Sequence, residues 1–305
     1  MNMNNITKTF LTTVALLAMS ASFAQSEVAD VDDPAEVLKI AALEALITAP
    51  PERALPIVTK VLNSNNSTDV KSRALFILSQ IDEPAAQQQL LEVARSGDTE
   101  LSQEAIRMIG ISGDSEAIAG LSNLYSSGDE DLREAVLEAY LIAGDTQAVV
   151  DIAAKAQDAD EFEAAVEMLA VMGAQEELRS LRSNGAFPEV MIEAFAISGD
   201  YESLRELALD GSDTERQAHA IEALGIIGGD EVDRTLLEIY RGSASEDIRE
   251  SALGGMLISG YDAGVLELYR ASDDIDEKRE LLEMLAIMDS DLVFDLIDEA
   301  FAGDR

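Results

Sequence analysis

The sequence predicts an all-α solenoid of about nine stacked helical hairpins. Three observations carry this: apolar residues fall at helical spacing, turn residues return about every thirty positions, and the same aliphatic positions return relative to each turn. The stretch from Asp131 to Ala153 shows the unit. Ala135, Val136, Ala139, Tyr140 and Ala143 occupy one face of a helix, Gly144 stops it, and Ala148, Val149 and Ile152 resume the period on a second helix.

With Gly144 as marker, equivalent turns stand at Pro50, Asp82, Gly113, Gly173, Gly199, Gly228, Gly260 and Asp289. Four are nearly verbatim, reading Ile-Ser-Gly-Asp at 111–114, Ile-Ala-Gly-Asp at 142–145, Ile-Ser-Gly-Asp at 197–200 and Ile-Ser-Gly-Tyr at 258–261. Seven residues before each marker stands a bulky aliphatic: Leu43, Leu75, Ile106, Leu137, Val166, Ile192, Ile221, Leu253 and Leu282. Eight residues after it stand Val58, Leu90, Leu121, Ile152, Leu181, Leu207, Leu236, Leu268 and Ile297. A third row four before the marker, from Leu46 through Leu78, Ile109, Tyr140, Leu169, Phe195, Leu224 and Met256 to Leu285, completes the first helix's buried stripe. Polar positions between these rows are expected to drift freely. One hairpin cannot bury its own apolar face, so the units must stack.

The elements follow in order. Residues 1–24 read as a secretory signal peptide, with Lys8 as the positive charge, an apolar run over 10–23, and small residues at Ser22 and Ala24 preceding cleavage near Ala24. The run falls short of the roughly twenty residues a membrane span needs. Residues 25–33 form an acidic flexible leader, and the repeats occupy 34–305 without a linker, so length alone does not divide them. The polar loop from Asn63 to Thr68 is the expected flexible joint, and Asn184 to Pro188 replaces the usual acidic link in a shorter repeat, where a bend is expected. The mature chain is expected to be exported and soluble, periplasmic or secreted. The absence of cysteine fits an oxidising compartment in which the stack needs no disulfide.

In the links, Asp followed by Arg and then Ala recurs at Asp131, Arg133 and Ala135, at Asp213, Arg216 and Ala218, at Asp247, Arg249 and Ala252, and more loosely at Asp69, Arg73 and Ala74. This pattern resembles the HEAT-repeat superfamily, in particular the short-repeat branch that includes phycobilisome lyases. The resemblance implies a HEAT-like superhelix from about residue 35 onward, with the Asp as N-cap or first-turn acid. The marks of tetratricopeptide and ankyrin repeats are absent. Relatives in this branch that are iron hydroxylases rely on His-Glu pairs, and none occurs here, so neither that activity nor bilin-lyase activity carries over.

Charge bounds the partners. The formal net charge is -39, and loss of Lys8 with the signal makes it -40, which disfavours nucleic acid and anionic membrane surfaces. The acid is uneven: the expected second helices hold 10 basic and 17 acidic residues, the rest of the mature chain 10 and 43. Second helices of such solenoids usually line the concave side, and Arg179, Arg182, Arg205, Arg234, Arg241 and Arg270 all fall on that series. They are the candidate partner-binding residues; the competing reading pairs them with neighbouring acids such as Glu202 and Glu238.

No catalytic, cofactor or metal residue is assigned. His219 is the sole histidine and falls at a position held elsewhere by Arg73, Glu104, Ala135 and Ser251, the mark of a helix flank. The acidic clusters at 129–131, 158–161, 230–233 and 273–277 lack the glycine and glutamate of an EF-hand loop and read as links and N-caps, with weak calcium binding as the alternative. Without Trp, and with the tyrosines at helical spacing, there is no aromatic sugar platform for paired carboxylates. The function expected is a non-catalytic scaffold or adaptor for another envelope protein. The alternatives are a cryptic lyase-type or metal-dependent enzyme, and self-association through Leu292, Phe294, Ile297 and Phe301 of the last hairpin.

Overall fold

The computed structural model describes residues 33–96, 99–182, 188–294 and 296, and all regular structure among them is helical. The expected signal peptide, the leader up to residue 32, residues 184–187, and Ile297 and Phe301 lie outside the described residues. The chain forms two compact units, Met1–Val149 and Val150–Arg305. In the first, the first helices of successive hairpins are α1 (Pro34–Glu44), α3 (Thr68–Ser79), α5 (Thr99–Ser112) and α7 (Glu130–Ala143). Their second helices are α2 (Pro51–Leu62), α4 (Pro84–Ala94) and α6 (Ser115–Ser127), and α8 (Thr146–Ala153) spans the boundary between units. In the second unit the first helices are α9 (Ala159–Val171), α11 (Pro188–Ser198), α13 (Thr214–Ile227), α15 (Glu246–Ser259) and α17 (Ile275–Ile287). The second helices there are α10 (Gln175–Arg182), α12 (Tyr201–Leu209), α14 (Asp230–Gly242) and α16 (Asp262–Ala271).

The recurrent Gly-Asp turn does two jobs. At φ 70°, Gly144 takes the left-handed conformation that a side chain would strain, and its N–H donates to Leu141 O while that of Asp145 donates to Tyr140 O. Those bonds satisfy carbonyls the helix leaves free. The Asp145 carboxylate then accepts from Ala148 N at 3.1 Å and caps the following helix, as Asp114 and Asp200 do in their copies. Seven of the nine markers have positive φ, Asp289 among them. Pro50, at φ -58°, cannot follow, and Asp82 is not among the positive-φ residues.

The aliphatic rows fill the core of each unit. Eight of the nine residues seven before the marker are buried, as are eight of the nine four before it; Leu282 and Leu46 are half-buried. Of the row eight after the marker, Ile152 is half-buried and the rest of the described members are buried. Within each unit consecutive first helices pack on one another, α1 on α3, α3 on α5 and α5 on α7, then α9 on α11, α11 on α13 and α13 on α15. The approach is backbone to backbone in places. A Cβ at Gly225 would lie 2.5 Å from Gly255 O, and one at Gly110 would lie 2.8 Å from Ala139 O.

In the links, Asp213 caps α13 through Arg216 N, and Asp69, Asp131 and Asp247 stand in the first turns of α3, α7 and α15, which is where the Asp-Arg-Ala pattern places them. Asp129, Asp158 and Asp274 of the acidic clusters accept bonds from the first-turn N–H groups of α7, α9 and α17. The 63–68 loop is held by side chains: Asn66 receives Lys39 Nζ at 2.9 Å and donates to Ser64 Oγ, while Ser67 caps α3.

Candidate interaction face

The second helices of the second unit carry all six candidate arginines, and three of them reach across to the next repeat. Arg179 on α10 extends to the next turn and binds Asp200 through two bonds, Nε to Oδ2 at 2.7 Å and Nη2 to Oδ1 at 2.6 Å. Asp200 is buried, and it also takes Ser203 N at 3.2 Å and Ser203 Oγ at 2.8 Å while capping α12. Burial works to raise its pKa, yet the donors from Arg179 and Ser203 outweigh that and hold the carboxyl below the ordinary range. Arg182 pairs with Glu206 at 2.9 Å and Arg241 with Glu267 at 2.6 Å, each joining one second helix to the next. Arg234 donates from Nε to Asp230 O, within its own helix, and Arg270 is also engaged.

Arg205 differs. Half-buried on α12, it has no hydrogen-bond or ion-pair partner among the described residues. It lines a cleft of about 430 Å³ between α12 and α14, with Leu209, Thr235, Glu238, Ile239 and Ile248 among the other walls. Tyr201 OH shares a hydrogen bond of 2.8 Å with Thr235 Oγ1 beside it. All six arginines stand on second helices; the competing reading paired them with neighbouring acids such as Glu202 and Glu238, and for Arg179, Arg182 and Arg241 the acids reached are instead Asp200, Glu206 and Glu267, one repeat on. Nothing in the helical period shows which acid of the next helix comes within reach.

Elsewhere, polar groups tie hairpin to hairpin. Tyr240 OH donates to Glu277 at 2.7 Å, and Ser290 Oγ donates to Asp262 at 2.6 Å. Gln175 Nε2 donates to Ser198 O at 2.7 Å. His219 sits half-buried on α13, close enough to favour the charged form of Glu193. Among the described residues, no three His, Cys, Asp or Glu side chains converge as a metal site, and no helix is long and apolar enough to cross a membrane. Phe294 of the last segment is 65 % exposed.

Stacked hairpins joined by recurrent turns define the class, an all-helical repeat protein of HEAT-like solenoid fold. Residues 55–142 match the family profile of HEAT repeats. Among solved structures, the chain is similar to human deoxyhypusine hydroxylase in complex with glycerol, at 19 % identity and a TM-score of 0.34, covering 89 % of this chain and 93 % of that one. It is similar also to the complex of CpcE and CpcF of phycocyanin lyase from Nostoc sp. PCC7120, at 20 % identity and a TM-score of 0.32, covering 82 % and 93 %. At those scores neither likeness carries an argument about chemistry. No curated protein matches the chain.

Proposed function

We propose that the protein is an exported, non-catalytic scaffold or adaptor that binds another protein of the cell envelope through its second helices. HEAT repeats generally mediate protein–protein interaction, and 55–142 carries them. The observation that favours this face is Arg205: its guanidinium stands without a partner among the described residues beside an open cleft of mixed apolar and polar walls, while Arg179, Arg182 and Arg241 are held by acids of the next repeat. The paired arginines stiffen the face, and a stiff face loses little ordering entropy on binding. Arg205 supplies the charge a partner carboxylate would meet. Residues 1–24 serve as the signal peptide, and the mature chain begins near Gln25 in the periplasm or outside the cell.

Two measurements test this. N-terminal sequencing of the protein recovered from the periplasm should start near Gln25; an intact Met1 there would refute export. A photo-cross-linker at position 205 or 209 in living cells should give one discrete adduct that disappears with Arg205→Glu, whereas a self-adduct alone would favour the homotypic reading. A stoichiometric transition metal in the purified protein would favour an enzyme.

A further inference from the structure

Besides the buried rows, one exposed row recurs. Two residues before the marker the chain carries Ile111, Ile142, Val171, Ile197, Ile226, Ile258 and Ile287, an aliphatic in seven of nine copies. Core packing does not account for all of it: Val171 and Ile197 are half-buried, but Ile226 is 38 % exposed, Ile258 53 % and Ile287 69 %. One helical turn earlier the copies carry Glu138, Glu167, Glu193, Glu222 and Glu283, so five first helices read Glu-x-x-x-Ile or Glu-x-x-x-Val. Residues four apart share a face. The polar positions between the buried rows therefore do not all drift.

The glutamates of the second unit stand at one position of successive first helices, Glu167, Glu193 and Glu222, with Gly254 in that place on α15 and Glu283 on α17. Glu222 Cγ lies 4.0 Å from where a Cβ would stand at Gly254, the corresponding position of the next helix. Burial raises the pKa of Glu167, and Glu163 and Glu193 add to it. Burial raises that of Glu193 too, with Glu163 adding and His219 opposing. No hydrogen bond or ion pair to a basic side chain is made by Glu193, Glu222 or Glu283 among the described residues.

We propose that this first-helix ridge of the second unit binds a cationic amphipathic helix of a partner protein, laid across the repeats. Packed helices stand about 8–10 Å apart, and seven residues of an α-helix advance about 10.5 Å. An apolar residue every heptad thus meets one isoleucine per repeat, and lysines beside it meet the glutamates. Charge decides the occupant, since a chain of formal charge -39 repels a second copy of itself and an anionic lipid surface alike. The inference rests on the scaffold reading, but on a different face from Arg205.

The test uses the full chain and three labelled synthetic helices of equal length: one with leucine at heptad spacing flanked by lysine, one with glutamate replacing lysine, and one with serine replacing leucine. The leucine–lysine peptide binds by fluorescence anisotropy at physiological ionic strength, the glutamate peptide does not, and the serine peptide binds at least about tenfold more weakly. Ile226→Ser with Ile258→Ser weakens binding about tenfold while the variant keeps its helical circular dichroism and cooperative urea unfolding, both side chains being partly exposed. Glu193→Gln with Glu222→Gln weakens it similarly and flattens its salt dependence, whereas Glu176→Gln with Glu202→Gln, on second helices, does not. Equal binding of the serine peptide, or no effect of the isoleucine pair, would mean attraction by bulk charge alone and would overturn the proposal. Self-association lost in the isoleucine pair would make a second copy the occupant and overturn it too. Loss of the cross-link at position 205 with the ridge still binding would sink only the second-helix reading.

Discussion

Replacing Gly225 with alanine should destabilise the protein, although the same exchange in most helix interiors stabilises. The new Cβ would stand 2.5 Å from Gly255 O and 2.9 Å from Gly255 Cα, backbone atoms that no rotamer change can move. Restoring ordinary contact requires α13 and α15 to part by somewhat under an ångström, and a gap of about 0.5–1 Å forfeits a quarter to a half of each dispersion contact along the seam. Overpacking of this kind costs about 1–3 kcal/mol, against a helix-propensity gain of about 1 kcal/mol. The net loss expected is about 0–2 kcal/mol. Gly254 is the internal control: it lies in α15 beside Gly255, and the nearest atom to its Cβ position is Glu222 Cγ at 4.0 Å, a flexible side chain. Gly254→Ala should therefore raise the urea midpoint and Gly225→Ala lower it. If both raise it, the backbone contact between α13 and α15 is not what holds these hairpins together.

Three further outcomes follow from the same geometry. Arg179→Met strands the buried Asp200 carboxylate; because the arginine itself is partly exposed, screening reduces the loss to about 1–3 kcal/mol, and Arg179→Met with Asp200→Asn should recover part of it in a double-mutant cycle. Since the folded pKa of Asp200 is lowered, its contribution is present above the ordinary value of about 3.9 and is lost as pH falls through the folded value, so the wild-type advantage over the double variant should shrink in acid. Glu167 has the opposite sign: burial, then Glu163 and Glu193, raise its pKa, so the folded state is penalised above that raised value and relieved below about 4.3. Glu167→Gln should raise the midpoint at pH 7 and reduce the gain that wild type shows on mild acidification. Burial, with Asp145 adding to it, pushes the Tyr140 phenol up to about 12; a difference absorbance titration against Tyr140→Phe should show no ionisation of this residue near pH 10 while the protein is native.

The hairpins and their core were legible because one side chain in each buried row recurs at fixed distance from a turn residue, glycine in six of the nine copies, and burial is set within a helix by its own period. Val166, Ile221 and Leu236 needed no knowledge of the neighbouring helix to be placed. The arginine pairs did. Whether Arg182 meets Glu206 or Glu202 depends on how far one second helix is rotated against the next, and the sequence period of either helix is silent on that. The close contact of Gly225 with Gly255 was hidden for the same reason, as each glycine alone reads as a weak point in a helix. The Glu-x-x-x-Ile row stood in the sequence, but only the folded structure separates a recurrent aliphatic that packs the core from one that faces solvent.

The central claim is that an aliphatic rhythm of about thirty residues holds the hairpins together, and hydrogen exchange on the full chain reads it directly. Slow amides should return in every first helix, at the segments carrying Leu75, Ile106, Leu137, Val166, Ile221 and Leu253, with faster exchange in the links between them. Protection gathered into one block, with the remaining first helices exchanging as an unfolded chain does, would contradict it.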